Sequence, residues 1–173
     1  MLKNTLLVIG WGTALALALF ASLGDSPRTT DANAATDSRA LPLQEASIEH
    51  GKYLVQVGGC NDCHTPGYTR LYGDVPESEW LRGDSLGWRG PWGTTYAANL
   101  RLLLPAFTED QWLARARAMR PRPPMPWFNL RAMSDADLRS IYRLVISLGV
   151  AGAAAPAYVP PDAEPSKPFV RFP

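Results

Sequence analysis

The sequence is short of the residues from which reactive sites are usually built. It has two cysteines and two histidines in 173 residues. Two cysteines cannot make a disulfide framework. With so few sulfur and imidazole donors, position matters more than number in any metal site. A charge excess of either sign is also missing: 17 Lys+Arg against 16 Asp+Glu leave a formal charge of +1. Nucleic acid is therefore an unexpected partner, because a phosphate-binding surface shows a clear basic excess. There is no internal repeat, and no segment clusters a general acid, a base and a nucleophile. At this length one domain is expected, with a tail or anchor to spare. Its core can be large enough to hold without staples.

Long apolar runs are confined to the N-terminus. Residues Asn4 to Gly24 carry no charge, and the apolar stretch Leu6 to Leu23 follows Lys3. A positive start and an apolar core read as an export signal. The uncharged run would span roughly 31 Å as a helix, enough to cross a bilayer. A cleaved signal and a retained membrane anchor both remain open over 1–24. Residues 25–42, rich in Ser, Thr, Asp and Ala, read as a flexible linker.

Three helices are predicted in the exported part, 43–150. The first runs from Leu43 to Val57 and stops at Gly58-Gly59. The second starts at Thr108, with Gln111 completing a capping-box pattern, and ends near Arg120 because Pro121 follows. The third starts at Ser134. Asp135 and Asp137 sit in its first turn, where they suit the helix dipole. Leu138, Ile141, Tyr142, Val145 and Leu148 recur at helical spacing up to Gly149. Between the first two helices lies a long aperiodic stretch, with a short helix expected at Pro76 to Leu81. Five of the six tryptophans fall between 80 and 127. So long an irregular loop suggests a chain wrapped around a large apolar object. Residues 151–173 form a Pro-rich tail, with six prolines in the last 18 residues, which excludes helix and central strand. Tyr158, Phe169 and Phe172 are expected to pack this tail back on the domain.

The chemistry sits in Cys60-Asn61-Asp62-Cys63-His64. Cys-x-x-Cys-His is the c-type haem attachment signature. Two thiols on one helical turn can bond the two vinyl groups of a haem, and the adjacent imidazole can reach its iron. A thioredoxin-like motif would need a βαβ setting. A zinc site would need more ligands than His50 can supply, and His50 reads as a surface residue. A structural disulfide between Cys60 and Cys63 would leave the Trp-rich loop unexplained. An export signal agrees with haem, which bacteria attach outside the cytoplasm.

The segments GKYLVQVGGCNDCHTP, GPWGTTYAANL and PPMPWFNLRAMSDADLRSIYRLVISL together resemble a bacterial monohaem class I cytochrome c. More narrowly, they resemble the small membrane-associated or periplasmic cytochromes related to the cytochrome subunits of periplasmic dehydrogenases. The resemblance spans about 43–173. It implies an all-α fold, with long loops wrapping the haem, an N-terminal signal or anchor helix and an extended C-terminal tail. First and last helices would cross near Gly51 and Tyr142. It implies Met125, in its Pro-Met-Pro-Trp segment, as the sixth ligand beside His64. Met119 reads instead as core packing and Met133 as a gap filler. Trp92, Tyr96 and Asn99 fall in the segment that borders the propionate edge, and Trp127 would lie against the ring. The basic run Arg115, Arg117, Arg120 and Arg122 has two readings: a solvated helix face, or a run of which one member pairs with a propionate or an acidic partner.

The function this implies is one-electron transfer by one covalent haem c, without catalysis, in the periplasm or at its membrane. Partners would be a dehydrogenase as donor and a cytochrome or terminal oxidase as acceptor. Two other functions fit the same residues: an electron-relay and anchoring subunit of a dehydrogenase complex, and a five-coordinate haem sensor or enzyme.

Overall fold

A computed structural model of the chain describes residues 45–173. The apolar segment 1–24, the linker 25–42 and the expected start of the first helix at Leu43 lie outside the described residues. Among the described residues no helix is long and apolar enough to cross a membrane.

Two helices form the centre. Helix α1 is Ile48–Val57. It begins later than the spacing predicts because Ser47 caps it, its hydroxyl accepting from the His50 amide. Helix α6, Asp135–Leu148, opens with a full capping box in which Ser134 and Asp137 satisfy each other's amides. Gly51 of α1 faces Ser140 of α6, and a Cβ there would come within 2.3 Å of the Ser140 carbonyl oxygen. Only a glycine lets the two backbones approach so closely. The Ser47 amide also donates to Ser140 Oγ (3.1 Å). Tyr142, expected at the crossing, donates its hydroxyl to the Phe107 carbonyl (2.8 Å).

Four further helices surround this pair. They are α2 (Cys60–His64), α3 (Leu100–Leu103), α4 (Glu109–Ala118) and α5 (Trp127–Ala132). Single 3-10 turns occur at Glu77–Glu79 and Leu104–Ala106. The capping box at Thr108 and Gln111 is formed as its sequence predicts. Val55, Leu104, Leu138, Leu144 and Val145 are fully buried in the core, with Trp80, Leu81, Trp112 and Leu113 beside them. Each such side chain stabilises the fold by about 1.5–3 kcal/mol relative to exposure.

The all-α expectation is corrected by a three-stranded mixed sheet. Strands β1 (Gly87–Gly90) and β2 (Gly93–Tyr96) form an antiparallel hairpin through Pro91-Trp92. Strand β3, Phe169–Arg171, pairs parallel to β1 and gives the order β2-β1-β3. The Pro-rich tail is therefore not simply extended: its end is a strand. It satisfies the rule against proline in a sheet because β3 lies at the edge and contains none. The tail also reaches the other side of the hairpin, where Thr94 and Val159 exchange two backbone bonds of 2.7 and 3.0 Å. Both edges of a hairpin that would be marginal alone are thus covered.

A buried arginine fixes the tail. Arg89 donates from Nη1 to Thr94 Oγ1 (3.1 Å) and the Ala163 carbonyl (2.8 Å), and from Nη2 to the Pro161 carbonyl (2.9 Å). The Tyr158 hydroxyl donates to the Trp92 carbonyl (2.9 Å), and Phe172 packs between Trp88 and Trp92 at ring distances of 6.0 and 5.5 Å.

His50 is not the surface residue its polar neighbours suggest. Its Nε2 lies 2.7 Å from Asp137 Oδ1, and the side chain is only 16% exposed. The pair ties α1 to the first turn of α6.

Candidate functional site

A cavity of about 360 Å³ opens beside α2. Its size falls within the range of about 300–1,000 Å³ typical of ligand pockets. The wall joins four parts of the chain: α2 with Cys60, Cys63 and His64; the sheet with Trp88, Thr95 and Tyr96; the loop around Met125; and the tail with Pro156 and Tyr158. Apolar surface dominates it, with Ala97, Ala98 and several prolines filling the gaps.

Helix α2 is placed by its flanks. Gly59 takes a left-handed conformation (φ 68°), which lets the chain turn sharply from α1 into α2. At the other end Thr65 donates its hydroxyl proton to Asn61 Oδ1 (2.7 Å) and accepts from the Leu81 amide (2.8 Å). The Gly83 amide donates to the His64 carbonyl (2.7 Å), so the following loop is laced to the helix.

Both cysteines are free thiols. Burial, with the Asp62 carboxylate next in effect, pushes the Cys60 thiol up to about 11. Burial and then Asp62 and Asp84 raise that of Cys63. A redox-exchange motif needs the opposite shift, towards the thiolate. Among the described residues no group of three His, Cys, Asp or Glu could hold a metal ion, which leaves a zinc site without its ligands.

His64 is buried, and its Nδ1 lies 2.7 Å from the Ala98 carbonyl oxygen. That oxygen can only accept, so Nδ1 carries the proton and Nε2 keeps its lone pair. Burial also lowers the tendency of the ring to take a second proton, outweighing the Ala98 contact. The result is a neutral imidazole with one nitrogen available to a metal.

Met125 reaches the same cavity from a point 61 positions beyond His64. Its loop is held on both sides. The Thr95 hydroxyl of β2 donates to the Pro123 carbonyl (2.7 Å), and the Trp127 amide donates to the Met125 carbonyl (2.9 Å). The unforeseen sheet thus supplies a wall and fixes the loop opposite α2.

Of the expected site residues, Cys60, Cys63, His64, Met125 and Tyr96 line the cavity. Trp92, Asn99 and Trp127 lie outside its lining. Trp92 packs on Phe172, and its Nε1 donates to the Trp88 carbonyl (3.3 Å). Asn99 caps α3 and donates to the Ala151 and Ala153 carbonyls (2.8 and 3.1 Å). The Trp127 ring carries the guanidinium groups of Arg120 and Arg131, at 4.4 and 4.8 Å. Trp80 and Trp112 belong to the core, so Trp88 is the one tryptophan on the wall. Its selection from the five clustered tryptophans has no local signal. The same holds for Thr95. Comparison with protein-family models, curated proteins and solved structures finds no match to this chain.

The donor set fits a haem. It comprises two thiols one helical turn apart, a neutral imidazole with its outer nitrogen free, and a thioether on another segment of the same apolar cavity.

Proposed function

We propose that this chain is a monohaem c-type cytochrome that carries single electrons between redox proteins outside the cytoplasm. One observation carries the reading: Met125, 61 positions beyond His64, shares one cavity wall with Cys60, Cys63 and His64. In this reading the thiols of Cys60 and Cys63 would hold the haem through its two vinyl groups, each S–H adding across one double bond so that no oxidant is consumed. His64 and Met125 would hold the iron. The haem would supply the ferric–ferrous couple that takes one electron from a donor and gives it to an acceptor.

The chain's own residues contribute rigidity and an apolar surface. Ala98 fixes the His64 tautomer. Thr95 and the Trp127 amide fix the Met125 loop. Trp88, the prolines and the tail give the wall its apolar surface. With both His64 and Met125 as ligands the iron would have no coordination site for a substrate, which would suit a carrier rather than an enzyme. A thioether ligand raises the reduction potential, so the donors would be of lower potential, such as a dehydrogenase.

The roles of His64 and Met125 are tested on the oxidised protein. The wild-type chain should show the near-infrared Met–iron charge-transfer band, and Met125→Ala should lose it while keeping covalent haem. A wild-type chain with bound haem but no such band would point to a five-coordinate haem instead.

A further inference from the structure

Arg122 is the one Arg, Lys, Asp or Glu on the cavity wall. It belongs to a segment, 111–133, that holds five arginines and no Asp, Glu or Lys. The others are engaged elsewhere. Arg117 pairs with Asp135 (2.7 Å), Arg115 lies over Phe107, and Arg120 and Arg131 lie over Trp127. Arg122 alone turns to the cavity, its guanidinium carbon 3.9 Å from the centre of the Tyr158 ring.

The guanidinium is seated over the Tyr158 ring, and among the described residues none of its N–H groups makes a hydrogen bond to the protein. Among the described residues Arg122 makes no ion pair with a carboxylate. The neighbouring hydroxyls are committed: Tyr158 donates to the Trp92 carbonyl and Thr95 to the Pro123 carbonyl. The wall thus has one cation, exposed at its rim and seated on Tyr158, and no carboxylate to match it. A planar fork of donors in that state is suited to a carboxylate.

We infer that Arg122, held by Tyr158 of the C-terminal tail, is the anion-binding group of the cavity and receives a propionate carboxylate of the bound haem. The inference rests on the haem reading above and deepens it. It makes the tail part of the cofactor site, because Tyr158 sets where the guanidinium stands. The charge has a defined effect. Arg122 keeps the carboxylate ionised and offsets its negative charge near the iron, which disfavours the ferric state.

The test is the midpoint potential of the haem-loaded protein as a function of pH, for wild type, Arg122→Gln, Arg122→Lys and Tyr158→Leu. Arg122→Gln should lower the potential at alkaline pH and move the pH-dependent step upward, since the carboxylate loses its partner. Arg122→Lys should restore most of the potential and part of the step. Tyr158→Leu should shift both in the direction of Arg122→Gln, by less. A uniform fall in potential with no movement of the step would mean that Arg122 acts at a distance, and would overturn the contact. Superimposable profiles would overturn it too. A wild-type chain without covalent haem is a different result, and removes the underlying reading as well.

Discussion

At the His64 ring a single backbone carbonyl decides which nitrogen is available, and a single buried side chain does comparable work at the end of α6. Arg101 is 5% exposed. It donates to the Ser78 and Gly149 carbonyls (both 2.6 Å) and to the Leu148 carbonyl. The last two belong to the end of α6, whose final carbonyls have no partner within the helix. A cation there also suits the helix dipole. Arg101→Met keeps the stem and strips the donors, so it should cost on the order of 2–3 kcal/mol. Urea unfolding reads this as a lower midpoint at unchanged slope, and an unchanged midpoint would refute the role. Residues differ in how openly the sequence announces them. Cys60, Cys63 and His64 are legible because their chemistry is contiguous. Arg101 and Arg89 are not, because their partners lie dozens of positions away. His50 looks like surface until α6 brings Asp137 against it.

Among the elements, the crossing of α1 and α6 is the part most sensitive to volume. Gly51→Val should force the helices apart, because even a Cβ meets backbone. Overpacking of this kind costs about 1–3 kcal/mol. A thermal midpoint equal to that of wild type would contradict the close approach. The helices are also joined by charge. Glu109 of α4 accepts from Arg139 and Arg143 of α6 (both 3.1 Å), and Asp137 accepts from His50 and Ser134. Burial works against ionisation of both carboxyls, but these hydrogen bonds outweigh it and hold them below the ordinary carboxylate range. A depressed folded value contributes stability at neutral pH that disappears as pH falls through it. The urea midpoint should therefore drop in acid. Replacing both residues, Glu109→Gln with Asp137→Asn, should flatten that drop. An equally steep acid profile in the double variant would assign the loss to other groups. Helices α4 and α6 were legible from their caps and apolar spacing. The sheet was not, because its strands have four, four and three residues and are partly glycine, too short for an alternation to show.

On the scale of the whole molecule, the tail joins the sheet, the cavity and the loop of Met125. It pairs with both edges of the hairpin, lines the cavity through Pro156 and Tyr158, and is pinned by Arg89. At Gly93 an added Cβ would meet the Val159 carbonyl oxygen at 2.5 Å, which shows how closely the tail crosses the hairpin. Arg89→Ala should release it, so that limited proteolysis removes residues beyond Ala155 from the variant but not from wild type. Equal resistance in both would contradict the pinning. Sequence alone foresaw aromatic residues holding the tail. It did not foresee that a Pro-rich segment would complete a sheet, because that depends on which backbone edges the fold leaves open. The covalent cofactor is the claim on which the functional reading stands. Its most direct test is the intact mass of the chain produced in a host that attaches haem c. The expected mass exceeds that of the polypeptide by one haem, and the increment disappears when Cys60 and Cys63 are both replaced by alanine. A wild-type mass equal to the bare polypeptide would contradict it.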